Sequence, residues 1–406
     1  MRRIFALISL FAFATVSLSA QEVTTTNNLE AKVAELETRL AKSEKRAAAW
    51  EKAKQYFKIS SFVQGMYEWA NDKDSKDLTD ISSFSIRRAR MSITGDLYKG
   101  KNGAKLDYRF YFDLARIKNN SNPNPILDMW VRYQPFKEFG IQFGQYKNPV
   151  TFEASISPAK YEFIDYSYAI CNLAKMGSDD VAGLNVTARD MGFQFLGGFI
   201  HRDGYSIINY NVGVLNGNGL NLKDNNKSKD IYAKLTIKPS MPLSLSAYYQ
   251  WGEANLAEFF DESRIKGEYG WNGNPEYVPM HRWGVGFKYD GDGPFARGEY
   301  VAGTTGALVS EGAYLAGGYK FKLPKSAGRI WTGLMADYFR RNCFDYINRD
   351  TANAAINTRY SVCVGYEPVK YFHVQVAYSL EQRIHHTFNN NRHFNNGVKL
   401  LATVIF

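Results

Sequence analysis

Residues 104–114 read AKLDYRFYFDL, an alternation of apolar and polar side chains that most of the chain repeats. One face carries the apolar and aromatic residues Leu106, Tyr108, Phe110, Phe112 and Leu114. The other face carries Lys105, Asp107, Arg109, Tyr111 and Asp113. Successive side chains of a β-strand point to opposite sides of the sheet, so this period of two predicts a strand with one apolar and one hydrophilic face.

The same alternation recurs from residue 56 to the C-terminus. We count sixteen segments of this kind: 56–69, 82–97, 103–115, 125–135, 138–147, 189–200, 204–215, 228–238, 242–254, 280–290, 293–303, 311–321, 328–341, 357–366, 370–382 and 393–406. Short turns alternate with longer loops, and these loops are 70–81, 116–124, 148–188, 216–227, 255–279, 304–310, 342–356 and 383–392. An even strand number with short turns at one end and long loops at the other is typical of bacterial outer-membrane barrels.

The sequence therefore predicts an all-β fold, a 16-stranded antiparallel transmembrane β-barrel over residues 56–406. A closed sheet leaves no backbone group unsatisfied in lipid. Eight strands are filled by their own side chains, whereas sixteen leave an aqueous channel. The hydrophilic inward face favours a water-filled pore for small solutes. A large soluble β-sandwich or β-helix fits the strand parity and the loop alternation poorly.

The composition agrees with a β-rich chain. Aromatic residues make up 15% of 406 residues, and 33 Gly stand beside only 12 Pro, which favours strands joined by many turns. The formal net charge of +10 suits an anionic partner. Nucleic acid is not expected, because the basic residues alternate with apolar residues that would face lipid. Cys171, Cys343 and Cys363 have the spacing of neither a disulfide framework nor a metal site.

The N-terminus predicts export. Residues 1–20 combine the basic start Met1-Arg2-Arg3, an apolar run and the small pair Ser19-Ala20, which is typical of a secretory signal peptide. The mature chain is expected in the outer membrane of a Gram-negative bacterium. The C-terminal residue, Phe406, ends an alternating apolar face and resembles the signal by which the barrel assembly machinery recognises such chains.

Residues 21–55 are predicted to form a coiled-coil oligomerisation helix on the periplasmic side. In the stretch 29–54, one heptad position holds Leu29, Leu36, Ser43 and Trp50, and the other holds Val33, Leu40, Ala47 and Lys54. Alternating spacings of four and three form the seam of a coiled coil. A solvated linker helix with accidental periodicity is the alternative, because Ser43 and Lys54 weaken the seam.

Four stretches of the barrel region also carry a family pattern. They are IRRARM at 86–91, IQFGQYKNPVTFE at 141–153, RDMGFQ at 189–194 and GVLNGNGLN at 213–221. In their order and spacing they resemble the phosphate-selective porins O and P of Gram-negative outer membranes. Gln21 after the signal peptide and the coiled-coil segment before the barrel look like a form of this family from the Bacteroidetes. The resemblance implies a homotrimer, with the third long loop, 148–188, folded into each pore and a basic constriction that binds anions.

Four arginines are the candidate anion-binding pore wall: Arg88, Arg90, Arg109 and Arg132. If Ala89 and Met91 face outward, then Arg88 and Arg90 face the lumen, and Arg87 points outward unless a bulge turns it. Arginine stays charged at any relevant pH and grips phosphate oxygens in a fork. The alternative is a wall of mixed charge, in which these arginines pair with Asp96, Asp107, Asp113 and Asp128.

The sequence favours a passive porin for small anions, with phosphate or a related oxyanion first among them. Loop 148–188 has a formal charge of −3, which leaves a general diffusion porin open. A structural or adhesive barrel is a third reading. No enzyme activity, cofactor or metal site is predicted. The expected partners are small anionic solutes such as phosphate, outer-membrane lipid, the barrel assembly machinery and further copies of this chain.

Overall fold

A computed structural model describes residues 24–71, 81–100, 103–118, 124–176, 187–324, 327–341, 355–385 and 391–406. The predicted signal peptide, 1–20, lies outside the described residues. The chain divides into two units, Met1–Tyr56 and Phe57–Phe406.

The first unit contains one long helix, α1 (Thr24–Tyr56). A helix was expected in this part of the chain, and the structure confirms it. The side chains of Val33, Leu36 and Leu40 are exposed on the single chain. Within the described ranges, no helix is both long and apolar enough to cross a membrane.

The second unit is a closed antiparallel barrel in which every strand pairs with its neighbours in sequence and β1 pairs with β16. The prediction of sixteen antiparallel strands is confirmed. The strands are β1 (Lys58–Asn71), β2 (Ile81–Lys99), β3 (Lys105–Asp113), β4 (Ile126–Phe136), β5 (Phe139–Lys147), β6 (Arg189–Arg202), β7 (Tyr205–Leu215), β8 (Asp230–Ile237), β9 (Leu243–Ala254), β10 (Val278–Asp290), β11 (Pro294–Thr305), β12 (Leu308–Lys322), β13 (Arg329–Arg341), β14 (Ala355–Val369), β15 (Phe372–His385) and β16 (Asn391–Ile405).

The two faces of the sheet differ as the alternation predicts. On β4, Met129, Val131 and Tyr133 are exposed on the outer surface, where lipid would cover them. The intervening Trp130 and Arg132 lie on the inner face, because each stands opposite an inward residue of β3. Closure leaves no free sheet edge, so every strand has two partners.

One predicted loop is absent. Residues 304–310 were expected to form a long loop, but β11 continues to Thr305 and β12 begins at Leu308, leaving a two-residue turn at Gly306-Ala307. Gly306 has a φ of 58°, a left-handed conformation that glycine adopts without steric cost. The loop prediction was wrong because the polar residues Thr304 and Thr305 pair in the sheet instead of leaving it.

The third long loop, hereafter the pore loop (148–188, described at 148–176 and 187–188), lies inside the barrel. It contains α2 (Phe152–Ser155), a 3-10 turn at Pro158–Lys160 and α3 (Tyr168–Leu173). Its backbone carbonyls accept hydrogen bonds from inward side chains: Gln64 of β1 donates to Pro158 and Gln375 of β15 to Tyr161. Apolar residues of the loop form a buried cluster with residues of the inner wall.

Candidate functional site

The pore loop leaves a cavity of about 760 Å³ on the side of the long loops, hereafter the long-loop cavity. The loop itself forms one side and inward residues of the barrel form the other. Among the described residues, seven basic side chains line it against three carboxylates: Arg87, Arg88, Arg90, Arg116, Arg359, Arg383 and Lys399 against Asp113, Asp165 and Glu381. Basic side chains therefore outnumber acidic ones in the lining, and low-dielectric walls focus the field of charges in a cleft.

A β-bulge in β2 brings two successive arginines into the lumen. The pairing of β1 with β2 shifts between Gln64 and Gly65, which pair with Arg88 and Ile86, so Arg87 has no partner across the strand. Arg87 donates to the backbone carbonyl of Ile164 in the pore loop at 3.0 Å. The sequence left the direction of Arg87 dependent on a bulge, and that bulge is present.

Arg88 and Arg90 lie on the inner face of β2, as the alternation predicts. Nη1 of Arg88 donates to Oε1 of Gln64 at 2.9 Å, and none of the described carboxylates forms an ion pair with Arg88. Nε of Arg90 donates to Asp113 at 2.8 Å, within a buried ion pair. Nη1 of Arg90 is buried without an acceptor among the described residues. Both residues line the long-loop cavity, Arg88 without a described carboxylate partner and Arg90 with one donor that lacks a described acceptor.

Arg109 and Arg132 are inward residues with carboxylate partners. Arg132 donates twice to Asp107, at 2.9 and 2.5 Å. Arg109 lies 3.5 Å from Asp128, which also accepts from Arg189 at 2.6 Å. These two arginines do not line the long-loop cavity, so the structure brings Arg88 and Arg90 together there and leaves the other two further down the wall. Their pairing corresponds to the mixed-charge alternative.

Sequence reasoning missed Arg116 and Tyr166. Arg116 lies in the 3-10 turn Leu114–Lys118 that follows β3, a region that the sequence assigned to a loop. Its Nε and Nη2 are buried, and no described residue accepts from them. The hydroxyl of Tyr166, in the pore loop, is also buried without a partner in the described part of the chain. Both residues line the long-loop cavity beside Arg88 and Arg90.

Basic residues of the wall compensate the acidic pore loop. Asp165 accepts from Arg87 and Lys399, each at 2.8 Å. Burial alone would raise the pKa of Asp165, but these two cations hold it below its usual range. Glu162 accepts from Arg297 at 2.7 Å and Lys320 at 2.6 Å. The carboxylates of Asp165 and Glu162 are therefore both paired with basic residues of the barrel wall.

The pore loop is also anchored at the start of α2. The carboxylate of Glu299, on β11, accepts from the backbone amides of Phe152 and Glu153 at 2.7 and 2.9 Å. Within the loop, the buried carboxylate of Glu153 accepts from the Tyr161 hydroxyl and from the amide and hydroxyl of Ser167. Burial raises the pKa of Glu153 to about 7.

A second cavity, of about 330 Å³, lies on the other side of the pore loop, toward the short turns. We call it the short-turn cavity. Its charged lining consists of Lys160, Lys320, Arg329 and Lys370 against Glu162 and Glu367, within the described residues. Basic side chains therefore predominate on both sides of the loop.

A closed sixteen-stranded barrel with a hydrophilic lumen and a loop folded into it is the architecture of an outer-membrane porin. A family model described as phosphate-selective porin O and P matches residues 56–322, more than half of the chain. The chain belongs to this family, and its fold is that of a channel.

Solved structures share the fold at low sequence identity. The anion-selective porin from Comamonas acidovorans has a TM-score of 0.59 at 9% identity, over 86% of this chain and 99% of that one. The outer membrane channel DcaP of Acinetobacter baumannii has a TM-score of 0.57 at 15% identity, over 86% and 97%. OmpT of Vibrio cholerae, in its trimer form, has a TM-score of 0.54 at 10% identity, over 86% and 100%. A search of curated protein sequences returned no match.

Proposed function

We propose that this outer-membrane porin gives passive diffusion to small anions, with phosphate and related oxyanions first among them. The observation that carries the proposal is a group of donors in residues that line the long-loop cavity. Arg88 hydrogen-bonds to Gln64 and pairs with none of the described carboxylates. Nη1 of Arg90, two nitrogens of Arg116 and the Tyr166 hydroxyl have no acceptor among the described residues. An oxyanion has several acceptor atoms, so it can satisfy donors from more than one side chain at once.

The strength of such a site suits conduction. A unit charge about 4 Å from another gains about 4 kcal/mol at an effective dielectric near 20, before desolvation is subtracted. Water in the pore screens most of this, so about 1 kcal/mol per arginine is the net expectation. Several arginines then give a several-fold preference for anions, while each contact stays weak enough for release, as conduction requires.

Two further observations support an anion pathway. The short-turn cavity also has a basic excess, so an anion that passes the pore loop meets positive charge on both sides. One structural relative is named as an anion-selective porin. In this proposal Arg88 and Arg90 contact the anion, whereas Arg109 and Arg132 extend the wall toward the short turns with their charge reduced by Asp107 and Asp128.

We extend the proposal to the assembly. The pore loop constricts the channel, lipid covers the exposed apolar band of the barrel, and the barrel assembly machinery inserts the chain by its C-terminal strand. Three copies form the native porin. Support for the number comes from the family resemblance and from a structural relative that is described in a trimer form.

A general diffusion porin is the second candidate, and one observation favours it. The lumen carries at least three arginines that pair with aspartates: Arg90 with Asp113, Arg132 with Asp107, and Arg189 with Asp128. Paired charges of opposite sign give a transverse field without a strong preference for either ion.

Planar bilayer recording separates the two candidates. The reversal potential under a KCl gradient gives the ion preference, and added phosphate tests for block of the chloride current. We expect anion preference and phosphate block in the native channel, and a severalfold weaker block in Arg88→Gln and in Arg116→Gln. Arg202→Gln makes the same charge change at an exposed position next to a short turn and should leave the block unchanged. Absence of phosphate block in the native channel would contradict the selective reading and favour the general porin.

A further inference from the structure

The long-loop cavity is larger than an inorganic phosphate ion requires. Its volume is about 760 Å³, and cavities of about 300–1,000 Å³ hold organic ligands of drug size. Its lining comes from strands β2, β3, β14, β15 and β16, from the 3-10 turn after β3 and from the pore loop. The oxygen atoms of a phosphate ion all surround one phosphorus atom, so the ion contacts only one part of this lining. The cavity therefore has room for a solute that carries a phosphate and a further group.

One end of the cavity offers hydrogen-bond donors only. Nη1 of Arg90 and both Nε and Nη2 of Arg116 are buried, and no described residue accepts from them. Arg88 lies two residues before Arg90 on the inner face of β2 and forms no ion pair with a described carboxylate. We call Arg88, Arg90 and Arg116 the basic end. A guanidinium group donates and never accepts, so this end matches the oxygen atoms of a phosphate group.

The other end offers an acceptor. Asn357, on β14, lines the cavity, and its Oδ1 atom is buried without a donor among the described residues. An amide oxygen accepts and never donates, so an anion cannot satisfy it. Asn357 pairs across the sheet with Arg383 of β15, and we call this region the amide end. A ligand that also fills the amide end needs a hydrogen atom to donate there.

The charges at the amide end balance. Arg359 pairs with Asp337 at 2.8 Å, and Arg383 pairs with Glu381 at 3.0 Å. These four residues therefore give the end no net charge that would attract an ammonium group or a second phosphate. A neutral hydroxyl meets the requirement at the lowest cost, because it donates a hydrogen bond without bringing a charge that must lose its water.

The two ends are too far apart for one phosphate ion. Four strand spacings separate β14 from β2 in the closed sheet, which is about 19 Å along the wall at about 4.8 Å per spacing. Long side chains shorten this gap, because they converge toward the centre of the curved wall. A phosphate ester with a carbon skeleton of several atoms can therefore reach both ends.

The pore loop adds two hydroxyl groups to the same cavity. The backbone carbonyl of Tyr166 accepts from Arg359, so this residue lies against the amide end. The hydroxyls of Tyr166 and Thr187 are both buried, and neither has a partner in the described part of the chain. A hydroxyl donates and accepts, so both suit a ligand that carries several hydroxyl groups of its own.

We propose that the long-loop cavity takes phosphate monoesters of polyhydroxylated compounds, of which a hexose phosphate is an example. The phosphate binds at the basic end, and a hydroxyl of the carbon skeleton donates to Oδ1 of Asn357. Nearly all buried polar groups in proteins have a hydrogen-bond partner, and such a solute supplies one at both ends at once. The inference rests on the proposed function, because it assigns the substrate class of the same cavity.

Block of the chloride current by matched solutes tests the substrate class on the wild-type channel. The solutes are glucose 6-phosphate, inorganic phosphate, cyclohexyl phosphate and glucose, at pH 8, where the three phosphates are mainly dianions. Cyclohexyl phosphate keeps the ester and a six-membered ring but has no hydroxyl on the ring. One added hydrogen bond is worth about two- to tenfold in affinity. We therefore expect glucose 6-phosphate to half-block the current at a concentration at least threefold below those of both other phosphates, and glucose to block least.

Two results would overturn the inference. Equal half-blocking concentrations for glucose 6-phosphate and either of the other phosphates would show that the ring hydroxyls gain nothing and that water satisfies Asn357. Block by glucose as strong as that by glucose 6-phosphate would show that the phosphate group does not bind at the basic end.

An Asn357→Leu variant tests the assigned contact, because it removes the acceptor and keeps a side chain of similar size. The advantage of glucose 6-phosphate over cyclohexyl phosphate should disappear. Asn209→Leu makes the same change at an inward position of β7, outside the lining of both cavities, and should keep the advantage. Arg116→Gln should raise the half-blocking concentrations of all three phosphates and leave their order unchanged. A full advantage in Asn357→Leu would contradict the contact, and the solute comparison on the wild type decides the matter if this variant does not insert.

The outcome is separable from that of the proposed function. No block by any of the three phosphates, together with no anion preference in the reversal potential, would reject the anion function itself. Block by inorganic phosphate without an advantage of glucose 6-phosphate would reject the substrate class alone and leave the anion porin in place.

Discussion

Nη2 of Arg87 donates a 2.8 Å hydrogen bond to Oδ1 of Asp165, so the bulged residue of β2 holds the pore loop to the barrel wall. The other carboxylate oxygen of Asp165 accepts from Lys399 of β16. Asp165 therefore joins two strands and the loop at the long-loop cavity, and it neutralises part of the positive charge that an entering anion meets.

Replacement of Asp165 by Asn should raise the preference for anions. The change removes a carboxylate but leaves Arg87 and Lys399 beside the cavity. A charge in a wet pore is worth about 1 kcal/mol or less, so we expect the anion-to-cation permeability ratio to rise roughly two- to fivefold. The reversal potential under a KCl gradient measures this ratio. Asp203→Asn, at an exposed turn far along β6 from the loop, is the control. A shift toward cations would contradict the assigned role of Asp165.

Replacement of Glu299 by Ala should loosen the pore loop. The carboxylate accepts from the amides of Phe152 and Glu153, and these amides would lose their buried acceptor. An unsatisfied buried donor costs about 1–3 kcal/mol, which is enough to release the start of α2 from the wall. We expect a larger and noisier single-channel conductance from a barrel that still inserts. Asp292→Ala removes an exposed carboxylate from a short turn and should leave the conductance as it is. Equal conductance in both variants would show that Glu299 does not hold the loop.

The strand number and the faces of the strands could be predicted from the sequence because both are local properties. Each strand has its own alternation, and the inward position of Arg88 and Arg90 follows from their neighbours Ala89 and Met91. The same pattern occurs sixteen times, and short and long connections alternate between the repeats. These features predict a closed antiparallel sheet, and the prediction needs no information on contacts between distant residues.

The bulge at Arg87 and the particular partner of each arginine could not be predicted in this way. A bulge depends on how β1 and β2 pair, and the alternation on either side of residue 87 is compatible with both registers. The pairing of Arg132 with Asp107 requires the register of β3 against β4. Arg116 stood in a segment without periodicity, so the sequence offered no sign that a 3-10 turn directs it toward the pore.

Acidification should stabilise the folded pore loop through Glu153. Burial raises the pKa of this carboxyl from its usual 4.5 to about 7. Because the folded value lies above the unfolded one, the folded loop favours the protonated form. The resulting stability is complete below about pH 4.5 and is lost as the pH rises through 7. At about 1.4 kcal/mol per pKa unit, the upper limit is roughly 3 kcal/mol.

Amide hydrogen exchange of the loop at pH 5.5 and pH 8, corrected for the intrinsic rates, measures this effect. We expect greater protection at the lower pH in the wild type and little difference in Glu153→Gln, which cannot ionise. Asp165 stays ionised over this window, because Arg87 and Lys399 lower its pKa, so it does not add to the change. An unchanged pH dependence in Glu153→Gln would assign the effect to another group.

Deletion of Phe406 should reduce the amount of protein in the outer membrane and leave the inserted channels normal. The amide of Phe406 donates to the carbonyl of Ser61, and its carbonyl accepts from the amide of Ser61, so the last residue forms two backbone bonds where β16 closes against β1. Phe406 as a whole is 67% exposed, on the face of β16 that points away from the pore. Loss of two bonds at about 1 kcal/mol each is a small fraction of the whole ladder, which continues from the Phe62–Ile405 pair to the Asn71–Asn396 pair.

The chains that do insert should therefore keep their conductance and reversal potential. If Phe406 takes part in recognition by the assembly machinery, as proposed, the quantity in isolated outer membranes should fall severalfold. Phe406→Tyr keeps an aromatic terminus and is the matched control. Normal membrane levels of the truncated chain would contradict the role of Phe406 in assembly, and altered conductance would show that the closure between β1 and β16 shapes the pore.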